Sequence, residues 1–297
     1  MRFSPLEEKV LNSLVSLIKL TETVVSYDVI RALKMALEKE KDETAKSQLR
    51  AMIKNAEVAN FQTLPICQDT GLLTFHIKLG EDFPIKARLN DIIVEASKKA
   101  TEIVPLRPNA VDPITGKNTG NNIGGRIPWI TYELTEGDKM EVFFLPKGGG
   151  SSYVVSLTSI PPSQGLKGFK RSIIEAVVKA GPKPCPPVTL GIGLGGTEDM
   201  AIKLGAKALF RKLDDKNPDP ALAQLESELL EMINSLGIGP AGLGGNTTAL
   251  AVKIEKASRH PATFLIGIVF QCWTNRRGHA IIYENGEMDV ILPEVWA

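Results

Sequence analysis

The chain carries three cysteines, and none sits in an apolar stretch: Cys67 lies in PICQDTG (65–71), Cys185 in KPCPP (183–187) and Cys272 in QCWTNRR (271–277). A structural cysteine behaves as a small hydrophobe and prefers apolar neighbours. One followed by Gln68, Asp69 and Thr70 invites a chemical reading instead. An odd count in a chain of 297 residues without a secretory signature argues against a disulfide framework. The three are far apart in sequence, whereas structural zinc takes its ligands in close pairs. Dispersed core cysteines are the plainer alternative, yet Cys185 between Pro184 and Pro186 cannot lie inside a helix or a central strand. Three thiolates supplied from loops suit an iron–sulfur cluster, and with no fourth cysteine one iron is left open to act as a Lewis acid.

Other residues compete for chemistry. Two runs match G-x-G-x-x-G, one at Gly191, Gly193 and Gly196 and one at Gly237, Gly239 and Gly242. The first follows a short apolar stretch and precedes a helical pattern, with Asp214 and Asp215 about 20 residues on, which keeps a nicotinamide-dependent oxidoreductase open as an alternative. The second follows a helix, the wrong context for that fingerprint. In KGGGSS (147–152) three consecutive glycines exceed what a tight hairpin needs. Their N–H groups suit an anion-binding turn for a carboxylate, with a mobile hairpin as the bland reading. Of the histidines, His76 and His279 lie in strand-like runs and read as half-buried structural residues, while His260 in RHPA opens an apolar strand that ends at Cys272.

These residues must be positioned by a mixed α/β layered domain with a helical N-terminal segment. Helical periodicity covers Leu6 to Leu20 and Tyr27 to Ala59, giving a mainly helical layer over 1–60. A strand is expected at 72–80, a helix within 84–104, a long polar loop at 107–125, and strands at 127–134, 139–146 and 152–160 as antiparallel neighbours. Helices at 165–180, 197–212 and 219–236 follow, then strands at 247–254 and 262–270 and a hairpin around Asn285-Gly286. No repeat or clear linker appears, so 1–297 reads as a single domain.

Bulk composition narrows the class. Apolar residues make up 43% and charged residues 23%, which disfavours disorder and coiled coil. A formal charge of +1 supplies no global field for nucleic acid or an anionic membrane, so an anionic partner must be bound locally. The longest apolar run, FLIGIVF (264–270), is far short of a membrane span, and cytoplasm is the expected compartment. A zinc-stabilised interaction domain remains the non-enzymatic alternative.

Taken in order, PICQDTG, LRPNAVDP (106–113), KNTGNN (117–122), KGGGS (147–151), GIGLGGT (191–197), GIGPAGLGG (237–245) and RHPA (259–262) through QCWTNRR resemble the α subunit of class I, iron–sulfur-dependent fumarate hydratases and L-tartrate dehydratases. The likeness covers nearly the whole chain. It implies the α-domain fold of that class, an oxygen-sensitive 4Fe–4S cluster on Cys67, Cys185 and Cys272, and substrate contacts from Gln68, Arg107 and Gly150. Asp69 and His260 match polar residues of the catalytic site. The implied reaction is reversible hydration of a C4 dicarboxylate, with malate and fumarate expected and L-tartrate as the alternative. The resemblance also implies a separate β subunit that completes the site, and hence a hetero-oligomer.

Overall fold

The computed structural model describes residues 2–296. In chain order the elements are α1 (Pro5–Thr23), α2 (Tyr27–Lys39), α3 (Glu43–Gln62), β1 (Leu72–Gly80), α4 (Leu89–Ile103), β2 (Trp129–Thr135), β3 (Met140–Lys147), α5 (Gly149–Tyr153), β4 (Ser156–Ser159), α6 (Gly165–Ala180), β5 (Val188–Leu194), α7 (Glu198–Ala208), α8 (Pro220–Asn234), β6 (Ala249–Lys256), β7 (Leu265–Gln271), β8 (Gly278–Ile282) and β9 (Met288–Leu292). They divide between two units, neither contiguous in sequence. The first takes the chain up to Tyr27, Asn55–Gly149 and the chain from Arg276; the second takes Asp28–Lys54 and Gly150–Asn275. Among the described residues no helix is long and apolar enough to cross a membrane.

In the first unit, Ser4 caps α1 with a reciprocal bond from Glu7, and Pro5 occupies the first helical position, where its missing N–H costs nothing. The buried stripe Val10, Leu14, Leu17 and Ile18 then packs with Ile92, Ile93 and Ala96 of α4 over Phe75, Ile77, Val142 and Phe144 of the sheet. That sheet has the order β2-β1-β3-β8-β9. β1 alternates in burial along its length, as a strand with one covered face must. It lies between β2 and β3, parallel to the former and antiparallel to the latter.

Two sequence expectations fail here. The three strands from 127 to 160 are not antiparallel neighbours, because β1 inserts between β2 and β3, with Phe75 and Phe144 facing each other at 4.7 Å between ring centroids. Gly80 makes the insertion possible: a Cβ there would lie 2.2 Å from the carbonyl of Gly137 in the β2–β3 turn. The segment 152–160 is also not one strand. It holds the last two residues of α5 and the short β4, which belongs to the other sheet.

The second unit is built on the sheet β4-β7-β5-β6, with β5 and β6 parallel and β7 antiparallel to β5. Phe169, Ile173 and Val177 of α6 and Leu222, Leu225 and Leu229 of α8 share a core with Leu190, Ile192, Ile266 and Ile268. Asp219 caps α8 through the N–H groups of Ala221 and Leu222. The helix expected over 27–59 is two helices. Asp42 accepts the Ala45 N–H at 2.8 Å and so begins α3, while Glu40 turns its carboxylate to the N–H groups of Lys41, Asp42 and Asn246. The N-terminal helices therefore serve both units, α1 in the first and α2 chiefly in the second.

Candidate functional site

Cys67, Gln68, Asp69 and Arg107 belong to the first unit, and Gly150, Cys185, His260 and Cys272 to the second. Within the first, PICQDTG lies between α3 and β1 with no regular structure of its own. Ile66 donates its N–H to the Glu22 carbonyl at 2.9 Å, and its carbonyl accepts from Asn55 Nδ2 at 2.8 Å. Cys67 is half-buried and Gln68 is exposed. The Asp69 carboxylate accepts two backbone N–H groups, from Gly71 at 3.1 Å and from Gly149 at 2.7 Å. Asp69 thus clasps the KGGGS turn. A Cβ on Gly148 would stand 3.0 Å from its Oδ2, which gives one of the three glycines a physical reason.

Arg107 is exposed at the start of the long loop, and its carbonyl accepts from Thr70 Oγ1 at 3.2 Å and from Asn122 Nδ2 at 3.1 Å. Asn122 is buried with φ of 60°, and its Oδ1 accepts the Asn109 N–H at 2.6 Å. Asn109 in turn donates to the Gly71 carbonyl at 3.2 Å. These two asparagines fix the Arg107 backbone to the PICQDTG segment, and sequence reasoning missed both. The one available signal was their placement in an Asn-rich loop longer than a connection needs.

In the second unit the segments bearing Cys185 and Cys272 touch: the Trp273 N–H donates to the Cys185 carbonyl at 3.1 Å. Cys185 is exposed and has φ of 55°, a left-handed conformation that is rare outside glycine and asparagine and is held by its neighbours. One neighbour is the second glycine run, where the Ala241 N–H donates to the Pro186 carbonyl at 2.8 Å and Gly242 abuts Pro182. Gly150 lacks a side chain for a similar cause, since a Cβ there would lie 2.5 Å from the Lys183 carbonyl. Cys272 Sγ lies 3.0 Å from Thr274 Oγ1. His260 is exposed, and its Nδ1 accepts the Ala262 N–H at 3.1 Å, so the neutral ring carries its proton on Nε2.

The first glycine run has another use. Gly191 and Gly193 lie inside β5, not in a turn after it, and a Cβ on either would come within 2.0 Å of a carbonyl of α7, that of Gly205 or of Ala201. Their bareness lets α7 approach the sheet. A dinucleotide fingerprint needs the glycines in the strand-to-helix turn, so the nicotinamide alternative loses its site.

All three cysteines are free of disulfides. No group of three His, Cys, Asp or Glu side chains among the described residues gathers on a single-ion position. A 4Fe–4S cluster does not ask for one, because each thiolate binds a different iron. Asn275 bears on the fit. Its side chain is buried with neither Oδ1 nor Nδ2 hydrogen-bonded among the described residues, and its N–H donates to the Cys272 carbonyl at 2.9 Å. Buried amides are almost always satisfied; one unmatched beside the Cys272 thiol would suit a polar or sulfide-bearing group there.

Residues 11–281 match the family model described as Fumarate hydratase (Fumerase). The chain is 44% identical over 273 residues to a Methanocaldococcus jannaschii protein named "Putative L(+)-tartrate dehydratase subunit alpha", an alignment covering 91% of this chain and 96% of that one. It is 34% identical over 278 residues to the L(+)-tartrate dehydratase subunit alpha of Escherichia coli K12, covering 90% and 92%. A similar match, 35% over 283 residues and covering 90% and 93%, links it to the same subunit of Escherichia coli UTI89. The chain belongs to the class I fumarate hydratase and L-tartrate dehydratase α-subunit family of hydro-lyases.

Proposed function

We propose that this α subunit, joined to a β subunit, dehydrates L(+)-tartrate or a close hydroxy-dicarboxylate. The observation that carries the reading is that the relatives reported above, aligned over about nine-tenths of both chains, are named as tartrate dehydratase subunits. This displaces malate and fumarate, the substrates expected from the motifs, as the first choice. Cys67, Cys185 and Cys272 hold a 4Fe–4S cluster in this reading, and the cluster, when bound, supplies a Lewis-acidic iron that stabilises the departing hydroxide.

The chain's own residues do the rest. The exposed Arg107 guanidinium pairs with one carboxylate in two parallel hydrogen bonds, and Gln68 and the Gly150 backbone orient the substrate. Asp69 holds the glycine turn and, with His260, handles the proton at the site, His260 through its Nε2–H. The second carboxylate and the C3–H call for a further cation and a base. The β subunit supplies them. The whole of 1–297 acts as one subunit in this scheme.

The test is turnover by the co-expressed, anaerobically reconstituted complex on L-tartrate, malate and fumarate. A higher kcat/KM on L-tartrate, with the α subunit alone inactive, is expected. Preference for malate or fumarate, or full turnover by α alone, overturns the reading.

A further inference from the structure

The Gln68–Asp69 segment rests on a buried charge that has no part in the roles above. Arg276 is 4% exposed, and its guanidinium forks: Nη1 donates to Glu22 Oε2 at 2.6 Å and Nη2 donates to the Asp69 carbonyl at 2.6 Å. Glu22 is fully buried at the end of α1, and its backbone carbonyl is the one that receives the Ile66 N–H. The two anchors therefore grip the chain on either side of Cys67. Nη2 also lies under the glycine turn, 3.8 Å from where a Gly148 Cβ would be.

As a source of stability this arrangement is poor. Desolvating two charges offsets most of their attraction, and apolar residues of similar volume commonly do as well or better. Glu22 is under-served besides: its Oε1 has no hydrogen-bond partner among the described residues, and burial pushes its carboxyl up to about 7 against the pull of Arg276, with Asp69 adding to the rise. What the pair does well is geometry. A planar fork tied at one prong holds the other in a fixed direction, and that direction ends on the carbonyl of Asp69, whose carboxylate clasps Gly71 and Gly149.

We propose that Glu22 and Arg276 are positioning residues for the reaction, fixing the Asp69 carbonyl and through it the Gln68 and Asp69 side chains and the 148–149 turn. The inference rests on the reading of Gln68 and Asp69 as site residues.

The test uses the cluster-loaded αβ complex with Arg276→Lys, which keeps the charge against Glu22 but loses the fork, and Glu22→Gln, which keeps an acceptor for Nη1. Hydrogen exchange is followed in peptides covering the Ile66, Gly71 and Gly149 amides, beside kcat, KM, iron content and melting temperature. With Arg276→Lys those three amides are expected to exchange about tenfold faster or more while the rest of the chain is unchanged. The kcat falls by about 10- to 100-fold, the order expected for a displacement near 1 Å, with iron content and melting temperature near those of the parent. Adding Arg276→Lys to Asp69→Asn costs no further activity. Unchanged exchange at the three amides, losses that multiply with those of Asp69→Asn, or activity that falls only in step with iron and melting temperature overturns the proposal. If Arg276→Lys does not assemble, Glu22→Gln carries the same expectations at smaller amplitude, and parent-like exchange in it is equally fatal. A parent complex inactive on all three dicarboxylates defeats the proposed function, while the exchange readout still decides this inference.

Discussion

The loops that carry Cys67 and Cys185 are held by opposite means. Around Cys67, beside the backbone bond from Ile66 N–H to the Glu22 carbonyl, the restraints are charged and amide side chains: Asp69 on two backbone N–H groups, Arg276 on the Asp69 carbonyl, and Asn55 on the Ile66 carbonyl. Around Cys185 the restraints are backbone and shape, with Cys185 N–H on the Pro182 carbonyl, Trp273 N–H on the Cys185 carbonyl, and glycines 150 and 242 admitting Lys183 and Pro182. The first loop is therefore sensitive to charge and pH. The second is sensitive to added volume. The two cysteines proposed to hold one cofactor are thus held in place differently.

The largest expected effect tests the premise that both loops serve a cofactor. Cys185→Ser should abolish iron retention after anaerobic reconstitution, yet shift the stability of the metal-free chain by no more than about 0.5 kcal/mol, because Cys185 is an exposed residue and the exchange is nearly isosteric. Full iron occupancy in that variant breaks the comparison at its root. Next, Gly242→Ala should cost about 3 kcal/mol and loosen the Cys185 loop, since φ is 75° and the new Cβ would lie 2.3 Å from Pro182 Cβ. Chemical denaturation of the metal-free chain measures it, and a neutral result would show that shape is not what holds this loop.

The charged loop makes a pH prediction. Burial favours the neutral acid of Glu22, so its carboxyl titrates near 7 in the folded chain against 4.5 ordinarily. The folded state binds that proton more tightly, so the stability Glu22 contributes is fully present below about 4.5 and is lost as pH rises through about 7. The difference in unfolding free energy between the parent and Glu22→Gln should change across this window with a slope of at most about 1.4 kcal/mol per pH unit, one proton's worth. A pH-independent difference removes the charge argument. The smallest effect concerns Asn122→Ala, which deletes bonds to Asn109 and Arg107 at a position with φ of 60°. It should cost about 1–2 kcal/mol and raise KM several-fold with kcat nearly unchanged, read by steady-state kinetics on the complex.

Local patterns carried much of the fold. The alternation of β1, the stripes of α6 and α8 and the Asn285-Gly286 hairpin were all legible, because each depends on neighbours a few residues away. The insertion of β1 between β2 and β3 was not, since it depends on Gly80 meeting a turn that begins some fifty residues later. Nor was the break at Glu40, whose carboxylate is drawn off by Asn246. At the site, the three cysteines are suggested by their types and settings and Gln68, Asp69, Arg107, Gly150 and His260 by the resemblance, but the residues that support them are not visible in the sequence. Glu22 in TETVV reads as an ordinary polar residue at a helix end, and only its burial against Arg276 distinguishes it. The GIGLGG run shows the converse: a strong local pattern whose glycines answer to α7 and not to a phosphate.

The order of the first sheet has a consequence for how the protein is made. β3 pairs on one side with β1, which precedes it, and on the other with β8, which the ribosome delivers only after the whole stretch Gly150–Asn275 has emerged. Until then β3 is an open edge, with Val142 and Phe144 waiting for Ala280 and Ile282 to close the apolar layer beside them. Nascent chains stalled before Arg276 should be cleaved by protease within 55–149 and protected there once β8 and β9 are out; early protection would show that the sheet does not wait. For the length of that interval the unfinished edge is open to pairing with another chain, the kind of exposure that makes slow assembly prone to aggregation.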